Sequence, residues 1–181
     1  MVRWCVAIGL WCVAVSPALA SSPSQSLAGH WASAPNETPL SSGFDESVWG
    51  PDSKSVRTVD LQIDATGRGA LKVTTRVVDR RGHTVKASTS IEEAKIVVGE
   101  SHNTIATRVE HDVTVESAVR TYPDDPTYKW DLDCLKVELV TFTDGDGNTL
   151  EVRFDTPEGR GSFWETLRRS VRATRAKQKT L

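Results

Sequence analysis

Histidines are the residues of this sequence best suited to acid–base or metal chemistry, and there are four: His30, His83, His102 and His111. None is spaced from another as metal-binding pairs on a helix are. Only His111 shares a face with valines in the alternating stretch 105–119, so we expect it to face inward. A lone buried histidine is either a hydrogen-bonded core residue or a ligand. We expect no metal and no cofactor.

Carboxylates are plentiful, but the sequence brings no two of them together in a catalytic motif. Asp144, Asp146 and Asn148 alternate as in a calcium loop, yet Thr149 stands where an EF-hand needs glycine. A hairpin turn is therefore the better interpretation. The Gly-x-Ser-x-Gly, His-Glu-x-x-His and phosphate-loop motifs are absent from the sequence. The sequence thus supports no enzymatic activity.

Polar residues recur on the face that the predicted strands turn inward. They are Thr75, Thr89, Thr107, His111 and Ser117. A filled core would prefer Leu, Ile and Phe, whereas a ligand cavity combines an apolar wall with a few polar groups. The pattern favours a binding cavity. The alternative is that threonine is simply common in strands.

Alternation of apolar and polar residues along most of the chain predicts half-buried strands. Val59, Leu61 and Ile63, for example, share one face. Short turns join successive stretches, and residues 85–91 and 96–98 are predicted as separate short strands. We therefore predict an all-β fold, an antiparallel up-and-down meander of about eight strands that closes into a barrel.

Residues 34–55 interrupt the alternation with a long stretch rich in Pro, Ser and Gly. A loop of this length inside a compact domain is often a lid or a binding loop. Its aromatic residues Phe44 and Trp49 are therefore candidates for ligand contact. A disordered connector is the equal alternative.

The first twenty residues have the order of a secretory signal peptide. Arg3 precedes an apolar run that is too short to span a bilayer permanently, and small residues follow at positions 18–20. We expect cleavage between Ala20 and Ser21, a periplasmic or secreted mature chain, and a single domain over residues 21–181. Cys134 is then the sole cysteine, so no internal disulfide can form. A retained membrane anchor is the alternative.

The C-terminal segment 156–181 is predicted to be helical and to pack outside the barrel. Ser162 and Glu165 have the spacing of a capping box. One helical stripe collects the apolar residues Trp164, Leu167 and Val171. Residues 160–181 hold seven Lys or Arg against one acidic residue, while the rest of the mature chain is acidic. The acidic charge of the rest of the mature chain argues against nucleic-acid binding. The basic segment leaves contact with an anionic surface open.

The opening Leu27-Ala28-Gly29-His30-Trp31 resembles the Gly-x-Trp motif of lipocalins and related calycin barrels. In that family the tryptophan lies on the first strand and closes one barrel end, and an arginine near the last strand packs over it. The resemblance implies the first role for Trp31 and the second for Arg153, with Arg160 as the alternative. It also implies a long loop after the first strand and a terminal helix.

Two functions follow from these patterns. The first is an exported protein that binds a small apolar or amphipathic ligand in the barrel. The second is a structural or protein-interaction module with a filled barrel, which acts through its surface or its basic C-terminal helix.

Overall fold

A computed structural model describes residues 27–105, 107–133, 135–142, 149–155 and 162–170. These residues form ten strands and one helix. In chain order they are β1 (Gly29–Ser33), β2 (Asn36–Pro39), α1 (Gly43–Trp49), β3 (Lys54–Ile63), β4 (Arg68–Val78), β5 (Ser90–Ile105), β6 (Arg108–Tyr122), β7 (Asp125–Asp131), β8 (Lys136–Phe142), β9 (Thr149–Asp155) and β10 (Ser162–Arg169).

All of the strands belong to one antiparallel sheet that closes on itself in a ring. The closing strand is β1, in which Trp31 stands opposite Arg169 of β10 on one side and Leu61 of β3 on the other. Around the ring the order is β1, β10, β9, β8, β6, β5, β4 and β3, while β2 pairs with β3 and β7 pairs with β6. The predicted all-β antiparallel meander is confirmed.

The core fills the inside of the ring because alternate residues of each strand point inward. Val59, Leu61 and Ile63 on β3 are all buried, as are Leu71 and Val73 opposite them on β4. Large buried side chains from the other strands complete the core: Trp31, Ile96, Leu139, Leu150, Val152, Phe154 and Leu167. The interior is therefore packed along much of its length.

The two ends of the ring differ. We call one end the base; it carries Leu27, Trp31 and the β3–β4 turn. The opposite end, here called the mouth, carries α1 and the connections β4–β5 and β6–β7. The predicted long loop 34–55 in fact contains β2 and α1, and its last two residues begin β3. Ser42 caps α1 by accepting a hydrogen bond from the Asp45 backbone N–H.

The prediction of a C-terminal helix is wrong for residues 162–169, which form β10. Their burial alternates: Glu165 and Leu167 are buried, whereas Trp164, Thr166 and Arg168 are exposed. That period of two belongs to a strand. Pairing with both β9 and β1 satisfies the backbone of β10, so tertiary context outweighs the helical stripe. Residues 156–161 and 171–181 lie outside the described part.

Two further strand predictions are corrected. Residues 79–89 form turns with one isolated bridge between Val78 and Thr84, so the separate strand predicted over 85–91 is absent, and residues 90 and 91 belong to β5. The segment 96–98 is not separate but lies within β5. The signal peptide, Cys134, the hairpin turn at 144–148 and the basic residues after Ser170 lie outside the described residues.

No helix within the described ranges is long and apolar enough to cross a membrane.

Candidate functional site

The base of the ring is built around Trp31, whose side chain is fully buried. Its indole Nε1 donates a hydrogen bond of 2.9 Å to the backbone oxygen of Leu27. The Arg169 guanidinium lies over the indole ring, 4.4 Å from its centroid, and donates a 2.9 Å hydrogen bond to the oxygen of Ala28. Since Leu27 is buried as well, these contacts fix the chain that closes the base.

Gly29 is required beside this arginine for a steric reason. Its φ is +144°, a conformation that residues with a Cβ rarely adopt. A Cβ built at Gly29 would lie 3.3 Å from Nη1 of Arg169, within a tight contact. The Gly-x-Trp spacing thus places Gly29 next to Nη1 of Arg169 and stacks the Trp31 ring against the face of the same guanidinium.

The partner predicted for Trp31 is corrected: it is Arg169, not Arg153. Arg153 forms ion pairs with Glu138 and Asp155, each at 3.3 Å, and lies 5.8 Å from the centroid of Trp164. It occupies an outward position of β9, whose buried residues Val152 and Phe154 point the other way. Arg160, the alternative, lies outside the described residues.

Charged side chains face inward at the mouth. Arg57 has the same strand parity as Val59 and Leu61, and Glu165 has the parity of Leu167, so both point into the ring. Nη1 of Arg57 lies 3.3 Å from Oε1 of Glu165. The same oxygen accepts a 3.0 Å hydrogen bond from the Asn36 side chain. Glu165 is thus buried but paired, as a buried charge must be.

An aromatic surface supports this ion pair. The Arg57 guanidinium lies 3.6 Å from the centroid of the Phe163 ring, and Phe163 stacks on the buried Phe154 at 4.9 Å. Arg57 is therefore held by a carboxylate on one side and by an aromatic face on the other. The stack joins the mouth directly to the packed core.

A second ion pair lies on the same inner wall, between Arg120 of β6 and Glu92 of β5 at 2.9 Å. Glu92 stands opposite the buried Val73, and Arg120 stands opposite Glu92, so both face inward. Trp130 of β7 is opposite Arg120. The two pairs place four charged side chains on the inner wall at this level.

Aromatic side chains continue from this wall along the β6–β7 hairpin. The rings of Tyr122 and Tyr128 are 5.6 Å apart, as are those of Tyr128 and Trp130. Tyr128 remains 48% exposed and Trp130 46% exposed. Every residue of β7, which lies beside the ring path, is exposed. Within the ring, the Arg57 side chain at the mouth is 27% exposed, whereas the core residues toward the base are almost completely buried, so the inner wall is partly open at the mouth.

The predicted ligand residues do not converge. Thr75 lies on the inner wall at the mouth, directly opposite Arg57. Phe44 is 76% exposed on α1, and Trp49, at the end of that helix, is half-buried. Thr89 is half-buried before β5 begins, and Thr107 is exposed in the β5–β6 turn. Only Thr75 of these five is thus part of the inner wall.

Ser117 points outward, against the prediction, because the β5–β6 register shifts between Lys95 and Ile96. This irregularity brings Ala118 into the core in its place. Ser117 instead borders a groove of about 450 Å³ on the outer face of the sheet. Where β1 and β3 border that groove, Nε2 of His30 lies 2.9 Å from Oδ1 of Asp60.

His111 is buried, as predicted, opposite the core residue Leu139. Its Nε2 lies 3.0 Å from the Thr141 hydroxyl. Its Nδ1 is buried without a hydrogen-bond partner among the described residues. Burial, with a smaller contribution from nearby His102, lowers the pKa of His111 below its usual value of 6.5, so the ring is neutral at pH 7.

The charged residues at the mouth were missed from sequence, although a signal for them was present. Arg57 and Glu92 stand two residues before Val59 and Ala94, at inward positions of their strands.

In the described ranges, no group of three or more His, Cys, Asp or Glu side chains could hold a metal ion.

Comparison of the chain with protein-family models, with curated proteins and with solved structures found no match.

Proposed function

We propose that this chain is an exported binding protein that holds one small amphipathic ligand in the mouth of the ring. The observation that carries this proposal is the inner wall of the mouth, where ion pairs and aromatic rings remain partly open to solvent above a packed core. Concave sites of mixed apolar and polar character are where small ligands bind.

The chemistry of the wall defines what would fit. The apolar part of the ligand would lie against Phe163 and Trp130, which are accessible aromatic surfaces. Its polar part would hydrogen-bond beside Arg57 and Arg120. Each arginine is already matched by a carboxylate, so the ligand needs no full charge of its own.

We also propose that the ring is a lipocalin-like barrel. Support comes from Trp31 beneath the Arg169 guanidinium, next to Gly29, at the end where the first and last strands meet. In the barrels that the sequence resembles, this combination closes one end of the barrel, which leaves the other end open. The mouth would then be the entrance.

Export is proposed on the sequence of residues 1–20. N-terminal sequencing of exported protein should begin at Ser21. A mature protein that begins at Met1 would contradict the proposal.

Mouth binding can be tested with 8-anilinonaphthalene-1-sulfonate, an amphipathic dye that fluoresces in apolar sites. Thr75→Trp would fill the mouth beside Arg57, whereas Thr74→Trp is the matched control because Thr74 lies on the other face of β4. Dye binding should be lost in the first variant and retained in the second. Binding that survives Thr75→Trp, or no binding by the native protein, would contradict the proposal.

A second candidate function is an interaction module with a filled ring. It is favoured by the packing of the core, where Trp31, Leu139 and Phe154 are almost completely buried. The basic residues 171–181 would supply one contact surface. A chain ending at Ser170 should then lose binding to anionic lipid vesicles while its melting temperature is unchanged, and the mouth variants should have no effect.

A further inference from the structure

The wall of the ring has a lateral cleft between β6 and β8. In the described residues, pairing of these strands covers only Arg108 to His111 of β6. The next residue of β6 to pair on that side is Val119, which stands opposite β7, while the other side of β6 stays paired with β5. A cleft of about 510 Å³ lies between the separated strands. This volume is within the range of small-ligand sites.

The cleft leads from the outer surface toward the core. Its β6 border includes outward-facing Asp112 and Thr114 as well as His111, Val113 and Val115, which belong to the inner face. Because β6 and β8 are not paired beyond His111 and the border includes residues of the inner face, the cleft adjoins the core as well as the outer surface.

Among the residues that the structure describes, the interior side of this cleft is apolar except at one position. Val115, Leu135 and Val137 line it, and Leu135 and Val137 are buried in the core. The exception is His111, with its buried Nδ1 that has no hydrogen-bond partner in the described part of the chain. A molecule that bonds to Nδ1 would satisfy this atom, and because the atom has no accessible surface, the side chains over it must shift for the molecule to reach it.

The charges around the cleft balance. Glu110 forms an ion pair of 2.9 Å with Arg108, and Glu138 forms one of 3.3 Å with Arg153. His102 also borders the cleft, with Nε2 3.5 Å from Glu110 and Nδ1 4.0 Å from Asp112. The two remaining charged residues on the border, Asp112 and Lys136, have opposite signs. A charged ligand would gain little here and would lose its hydration, so a neutral molecule fits best.

The group that matches His111 is a hydroxyl. A neutral imidazole has one nitrogen that donates and one that accepts, and which of them is Nδ1 depends on the direction of the bond with Thr141. A hydroxyl can donate or accept, so it satisfies either tautomer. We propose that the cleft between β6 and β8 is a second binding site, for a small neutral molecule with a hydroxyl group and an apolar body, such as a phenol.

The experiment uses phenol and toluene, which have similar shapes but differ in the hydroxyl group. Both are titrated by NMR against the mature protein and against the His111→Phe variant. Phenol should bind the native protein, and the ratio of phenol to toluene affinity should fall about tenfold in the variant, as expected for one lost hydrogen bond. An unchanged ratio would overturn the proposal.

Two controls separate this site from the mouth and from a folding defect. Thr75→Trp should leave the phenol-to-toluene ratio unchanged, because it fills only the mouth; a fall in that ratio would assign the binding to the mouth. If His111→Phe does not fold, the ¹⁵N resonance of His111 Nδ1 in the native protein replaces it. That resonance should shift with phenol and not with toluene, and no shift with phenol would overturn the proposal. Tighter binding of benzoate or benzylammonium than of phenol would contradict the neutral ligand class.

Discussion

Replacing Trp31 by alanine should strongly destabilise the fold, because the indole closes the base of the ring. Trp31 is 1% exposed, its Nε1 donates to the oxygen of Leu27, and its ring supports the Arg169 guanidinium. Truncation of a buried aromatic residue to alanine costs about 3–5 kcal/mol. With a urea m-value of about 2 kcal/mol/M, the midpoint should fall by about 1.5–2.5 M.

Trp164→Ala is the matched control, since it removes the same side chain from an outward position of β10 where it is 42% exposed. Its midpoint should move far less, because surface substitutions usually change stability by under about 0.5 kcal/mol, with a further small loss from the contact with Arg153. Equilibrium unfolding in urea, followed by far-UV circular dichroism, measures both. Equal shifts for the two variants would refute the assignment of Trp31 as the closure of the base.

Other predictions concern β10, the mouth and His111. A chain ending at residue 161 should not form the native fold, because it lacks the strand that pairs with both β1 and β9. Near-UV circular dichroism would detect the loss of tertiary structure. A native spectrum from the shortened chain would contradict this prediction. Glu165→Ala should lower the free energy of unfolding by about 1.5–3 kcal/mol, because it removes the carboxylate that pairs with the partly exposed Arg57. Adding Arg57→Met to that variant should lower it little further. Additive losses of stability in urea unfolding would argue against the pair. Stability should fall as the pH drops below about 6.5, because the lowered pKa of His111 makes the unfolded chain bind the proton before the folded chain does. Urea midpoints measured between pH 8 and pH 5 give the slope of stability against pH, and His111→Phe should reduce it. An unchanged slope would exclude His111 as its source.

Local patterning predicts much of the ring. In β3 and β4 the alternation of Val59, Leu61, Leu71 and Val73 with polar residues matches the observed inward face. Each strand obeys the period of two on its own, so no tertiary information is needed to find it. The closure of the base by Trp31 is also a local signal, because Gly29 and Trp31 lie two residues apart.

The remaining errors arise where tertiary contacts decide the structure. In β10 two charged residues, Glu165 and Arg169, occupy inward positions, which hides the alternation that would have indicated a strand. Glu165 is paired with Arg57, which lies 108 residues away in the sequence, and a single sequence does not indicate such a partner. The inward phase of β6 changes at an irregularity near Ser117, which no turn residue marks.

Native mass spectrometry of the mature protein, purified gently from its exported compartment, tests ligand binding at the mouth most directly. We predict that the native chain and the Thr74→Trp control retain one small molecule per chain, and that the Thr75→Trp variant is found at the mass of the protein alone. Native protein found only at the mass of the unliganded chain, or a molecule retained equally by Thr75→Trp, would contradict the proposed function.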